Sequence, residues 1–157
     1  MKAYNVNILL LEERYHDALS ILQTLDTKKL GAKGTPVVEN QIACCKAQLG
    51  NPTEAIKIAE GALPRMEIMG PDYSASGNLV LGTAKMLAGQ PLEAVPYLQK
   101  AYTTSANAPV RKTIAAFYLG EAFSALGKSG ESREAYQNAN KTLPNSKFGL
   151  RALERLN

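Results

Sequence analysis

The chain has 157 residues, 45% of them hydrophobic and 20% charged, a balance that suits one folded domain or a short repeat array and excludes a disordered chain. Its net charge of +4, from 18 basic and 14 acidic residues, is small and scattered, the densest groups being Lys28, Lys29 and Lys33, and Arg111 with Lys112; this argues against nucleic acid as a partner. No run approaches the roughly 18–20 apolar residues of a membrane span, and the apolar run at 8–11 is too short for a secretory signal core, so a soluble, cytoplasmic protein without membrane partners is expected.

In chain order, the first unit covers about 1–30. It opens with a short helix over 2–12, apolar at Val6, Ile8, Leu9, Leu10 and Leu11, turns at Glu13, and continues in a second helix containing Ala18. The stretch DTKKLGAKGTP follows as a loop, with Thr35-Pro36 as the cap of the next helix. The second unit, 36–69, turns at Gly50 and restarts with Asn51 as N-cap, Pro52 in the first turn and Glu54 behind it. MEIMGPDYS reads as a loop with Asp72 as a cap, leading into the third unit, 73–106, which turns at Gly89 and repeats the Pro and Glu at Pro91 and Glu93. Pro96 lies inside the second helix of this unit and predicts a bend or an irregular start there. TTSANAP is the next loop, with Asn107 as a cap, before the fourth unit, 111–144, which turns at Gly127 with Ser129 as N-cap. The end, 145–157, reads as a helix capped by Ser146, with Leu150, Leu153 and Leu156 along one side to cover the last exposed face.

These units share one frame. Gly50, Gly89 and Gly127 recur at intervals of 39 and 38 residues. Ala43, Gly82 and Gly120 lie seven residues before them; Ala55, Ala94 and Ser132 lie five after; Ala62, Ala101 and Ala139 lie twelve after. Small residues at fixed offsets let paired helices approach closely. Glu13, 37 residues before Gly50 and five before Ala18, holds the turn position of a degenerate first copy.

The frame resembles the tetratricopeptide repeat, most closely in the fourth unit, where Leu119, Gly120, Phe123, Gly127, Tyr136, Ala139 and Pro144 fall on the family's positions. Departures are the absent aromatic near the start of the first helices, where Glu39, Asn78 and Ala116 stand, and the longer spacing, which is similar to the linkers of kinesin-light-chain-type repeats. The resemblance implies an all-α, right-handed α-solenoid of about four antiparallel helix pairs plus a C-terminal capping helix. It also implies a concave face lined by the first helices: Asn7; Asn40, Cys44 and Gln48; Leu79, Thr83 and Met86; Phe117, Glu121 and Ser124. Such a face suits a peptide or a partner helix, with amides at one end and apolar anchors at the other. Chaperone-binding members of the family hold a C-terminal carboxylate with inner-helix cations; the matching places here are Ala3, Asn7, Gln41, Ser76 and Val80, so that activity is not expected.

Chemistry is sparse in the sequence. The single histidine, His16, has no ligand partner and reads as a surface or capping residue, and no phosphate-binding glycine motif occurs. Adjacent Cys44 and Cys45 point apart on a helix and lack further zinc ligands, so they read as small hydrophobes. Lys46 and Lys85 share one repeat position; they either face an acidic ligand or cover apolar surface with their stems. Tyr73, Tyr97, Tyr102, Phe117, Tyr118, Phe123 and Tyr136 have helical spacing and read as packing residues. The expectation is therefore a non-enzymatic protein-interaction module or scaffold with no cofactor and no metal. Self-association through the apolar N-terminal unit is the alternative, and nucleic-acid or small-ligand binding, which would need a basic stripe or a closed pocket, ranks below both.

Overall fold

A computed structural model describes the backbone of residues 2–157 and the side chains from Val6 onward. Among the described residues there are nine helices and no strand. They are α1 (Lys2–Leu11), α2 (Tyr15–Gln23), α3 (Thr27–Gln48), α4 (Pro52–Met69), α5 (Pro71–Leu87), α6 (Pro91–Thr103), α7 (Pro109–Ala125), α8 (Ser129–Thr142) and α9 (Lys147–Leu156).

The turns inside the pairs share one construction. Gly50, Gly89 and Gly127 have φ of 91°, 76° and 73°, and Glu13 is the one described non-glycine residue with positive φ, at 58°. At each turn the residue after this position donates its N–H five residues back, and the left-handed residue donates three back: Asn51 to Lys46 and Gly50 to Ala47, and likewise Arg14 to Leu9 and Glu13 to Leu10. This is the Schellman motif, which satisfies the last carbonyls of a helix and reverses the chain. Glu13 performs the same turn as the glycines and carries the steric strain that they avoid.

The small residues sit where helices close on each other. Ala43, Ala55, Ala62, Ala94, Ala101 and Ala139 are fully buried. A methyl on Gly82 would stand 2.7 Å from the Leu98 side chain, and one on Gly120 would stand 2.5 Å from the Tyr136 ring. Large side chains of each second helix thus fill the space that a glycine opens on the first.

Each helix packs on its neighbours in sequence, and α3, α5, α7 and α9 also pack in succession. The even-numbered helices lack such mutual packing, so they form the outer layer and the odd-numbered helices the inner one. The result is an all-α, solenoid-like array, its core divided into clusters centred on Leu22 and Cys45, on Leu63 and Leu81, and on Leu98, Phe117 and Tyr136.

Several local expectations are corrected. The stretch after Asp26 is helical rather than a loop: Asp26 caps it by accepting from the Lys28 N–H, and only Gly31, at φ 68° and ψ −175°, interrupts α3. Thr35 caps nothing; its hydroxyl donates to the carbonyls of Thr27 (2.9 Å) and Gly31 (2.8 Å) and bridges the kink. MEIMGPDYS contracts to the single link Gly70, with Pro71 opening α5 and Asp72 already in its first turn. Asn51, Asn107 and Ser129 provide no capping hydrogen bond: Asn51 precedes α4 without one, Ala108 precedes α7, and Ser129 is itself the first residue of α8. α6 runs through Pro96, whose ring faces solvent. In α9, Ser146 does accept from the Gly149 N–H, but the packed face carries Phe148, Gly149, Ala152 and, of the three expected leucines, only Leu156, while Leu150 and Leu153 stay exposed. At the N-terminal end Val6 and Leu9 are buried, whereas Ile8 and Leu11 are exposed.

Candidate functional site

The inner helices enclose a cavity of about 280 Å³. From α3 come Cys44, Ala47 and Gln48; from α5, Leu79, Val80 and Thr83; from α7, Val110, Ile114 and Tyr118. The ends of the array complete the wall: Leu10, Leu11, Glu13 and Tyr15 on one side, Ser146, Lys147 and Phe148 on the other. Two cross-connections narrow the concave side. Gln48 Nε2 donates to Tyr118 Oη at 2.9 Å, joining α3 to α7. The Arg151 guanidinium donates to both carboxylate oxygens of Glu13 at 2.7 and 2.9 Å, with Lys147 Nζ 3.6 Å away, so α9 meets the α1–α2 turn 138 residues upstream. The array closes on itself through side chains.

Electrostatics follow from this enclosure. The hydrogen bonds from Arg151 hold the Glu13 carboxyl below its usual range against an opposing burial effect. Burial pushes the Cys44 thiol up to about 12, although its side chain keeps surface towards the cavity; the thiol is neutral and poorly nucleophilic. Burial likewise raises the phenols of Tyr15 and Tyr118, with a smaller contribution from neighbouring Cys44 in both. Both phenols therefore remain protonated donors.

No family model matches this chain, and no curated protein matches it. Its chemistry is therefore read from its own residues. Of the expected concave-face residues, Cys44, Gln48, Leu79 and Thr83 meet in the cavity. The others lie outside its wall. Asn7 is exposed and accepts from Gln41 Nε2 at 3.0 Å. Asn40 is 4% exposed, donates to Ser76 Oγ at 3.3 Å, and leaves its Oδ1 without a partner. Met86 and Phe117 belong to the C-terminal core, where the Phe117 ring packs 5.3 Å from both Tyr118 and Phe148. Glu121 accepts from Tyr136 Oη (2.5 Å) and Arg155 Nε (2.9 Å), and Ser124 is exposed. Ala3 lies outside the described side chains.

Sequence reasoning missed Tyr15, Val110, Ile114, Tyr118 and Phe148. The signal was a drift in phase. Counted back from the turn glycine, the cavity takes Cys44 and Gln48 near the end of α3, Leu79 and Thr83 further back in α5, and Val110, Ile114 and Tyr118 further back still in α7. The wall moves by about one helical turn or more per repeat, so a fixed offset leaves it.

The repeat-related lysines look elsewhere. Lys46 pairs with Glu54 at 2.9 Å, and Lys85, only 6% exposed, pairs with Glu93 at 3.1 Å and Glu60 at 3.4 Å. Each cation is thus matched to acidic groups of the array itself. His16 is exposed. Among the described residues, no three His, Cys, Asp or Glu side chains are grouped to hold a metal ion, and no helix is long and apolar enough to cross a membrane.

Proposed function

We propose that this chain is a tetratricopeptide-like interaction module, cytoplasmic and non-catalytic, that holds a protein or peptide partner on its concave side. The observation that supports this is the apolar wall formed there by successive inner helices, with Leu79, Val80, Ile114 and Tyr118 on one surface. The cross-connections refine the mode of binding. A bridge from Gln48 to Tyr118 crosses the concave side, which favours a partner that inserts a few apolar side chains as anchors and lays the rest of its chain over the rim.

Panning a random peptide library against the full chain, followed by NMR titration of the selected peptides, tests this. Amide shifts are expected on α3, α5 and α7 around Cys44, Leu79 and Thr83. Leu79→Asp is expected to weaken binding by about a hundredfold, on the scale of a lost central anchor, while Ile68→Ser, on an outer side chain that is 87% exposed, leaves it unchanged. Shifts confined to α4, α6 and α8, or full affinity in Leu79→Asp, would sink the proposal.

A further inference from the structure

The inner cavity has room for a small molecule, and its polar groups are unbalanced. Its volume of about 280 Å³ is nearly twice the roughly 150 Å³ of an apolar cavity that holds one benzene, which leaves room for on the order of twelve non-hydrogen atoms. The body of the wall is aliphatic and aromatic: Leu10, Leu79, Val80, Ile114 and Phe148. The polar side gathers donors. Tyr118 accepts from Gln48, and its own proton has no acceptor among the described residues. The Tyr15 phenol, which lines the same cavity as Cys44, Glu13 and Tyr118, makes no hydrogen bond among the described residues. Lys147 reaches Glu13 only at 3.6 Å, and the pairing of Glu13 with both Arg151 and Lys147 leaves one positive charge in excess at this rim. Donors without acceptors beside an apolar void call for a ligand with an acceptor head and an apolar tail.

We propose that the cavity binds a small apolar monocarboxylate, an acyl chain of about ten carbons, with its tail among Leu79, Val80, Ile114 and Phe148 and its carboxylate on Tyr15, Tyr118 and Lys147. The acyl chain fills the same cavity that the proposed function gives to a partner's apolar anchors, so the two compete for Leu79, Val80 and Ile114. The head-group residues, Tyr15, Tyr118 and Lys147, differ from the inner-helix positions at which a peptide carboxylate clamp would fall, of which Val80 alone lines this cavity. The carboxylate accepts from both phenols and answers the excess charge at Lys147.

Decanoate, used below its micellar concentration, is the probe, titrated into the full chain by NMR and calorimetry beside decanol and methyl decanoate. One-to-one saturable binding is expected, with shifts at Cys44, Leu79 and Tyr118, and with the alcohol and the ester weaker by about tenfold or more. Tyr15→Phe with Tyr118→Phe keeps the rings and removes only the donors; it should weaken decanoate about tenfold and leave decanol nearly unchanged. Leu79→Trp fills the cavity and should abolish binding of all three. Absence of saturable decanoate binding to the wild type overturns the proposal. So does methyl decanoate binding as tightly as decanoate, or a folded Leu79→Trp variant with wild-type affinity.

Discussion

Glu13 concentrates two opposed effects in one residue. Its backbone sits at φ 58°, a conformation that costs an L-residue about 1–2 kcal/mol, while its side chain receives the Arg151 fork and the Lys147 charge. Two substitutions separate these effects. Glu13→Ala removes the ion pairs and keeps the strain, so it should be less stable than the wild type; Glu13→Gly removes both and should exceed Glu13→Ala by about 1 kcal/mol in denaturant unfolding. Equal stabilities would mean that the turn had left the left-handed region. The pH dependence has a definite sign. Arg151 depresses the folded-state pKa of Glu13, so its contribution is fully present above the ordinary carboxylate value of 4.5 and fades as the pH falls below that through the depressed value. The wild-type advantage over Glu13→Ala should therefore shrink on acidification. The turn itself was legible in the sequence, because Glu13 holds the place of Gly50, Gly89 and Gly127. Arg151, 138 residues away, was not, since no local pattern joins the two.

At the scale of the element, α9 illustrates how a correct helix can be turned to the wrong face. Leu150, Leu153 and Leu156 form an apolar line in sequence, yet the helix docks through Phe148, Gly149 and Ala152, and of that line only Leu156 joins them. The reason is distance of approach. A methyl on Gly149 would fall on the Leu143 carbonyl oxygen, and Asn140 Nδ2 donates to the Gly149 carbonyl at 3.0 Å, so the α8–α9 corner needs a residue without a side chain. Gly149→Ala should lower stability by about 1–3 kcal/mol and release the amides of α9 to hydrogen exchange, while Leu150→Ser, at a side chain 48% exposed, should leave both nearly unaltered. Retained protection of α9 in Gly149→Ala would mean that the corner can yield. Two of the connectors were misread for a related reason. Gly and Pro mark breaks in sequence, but Pro71 and Pro109 stand at helix starts, where the missing N–H costs nothing, and Gly31 kinks α3 without ending it. The turns within pairs were legible because a left-handed glycine has one main structural use, and TTSANAP does form the loop between α6 and α7; the link before α5 was not legible, because Gly70 alone performs what nine residues seemed to require.

On the scale of the whole molecule, contact between the two ends sets this array apart from an open one. In an open solenoid each repeat touches only its neighbours, and a change in the last helix leaves the first pair indifferent. Here α9 contributes Arg151 and Lys147 to the α1–α2 turn and Phe148 to the wall that α1 shares. The seam has only side chains to hold it, and Arg151 is 40% exposed, so the ion pair is worth no more than about 1 kcal/mol. The short first pair, with Leu11 exposed, is the part of the array that such an amount moves most. Arg151→Gln should therefore speed amide exchange in α1 and α2 severalfold and leave α4 to α6 as they are. A double-mutant cycle of Arg151→Gln with Glu13→Gln should return a coupling of about 0.5–1 kcal/mol, reduced by added salt. Exchange in α1 and α2 that ignores Arg151 would show that the ends meet without supporting each other. The same measurement bears on the cavity. Its wall is continuous only while the seam is closed, so loss of coupling across Glu13 and Arg151 should also weaken whatever the cavity holds.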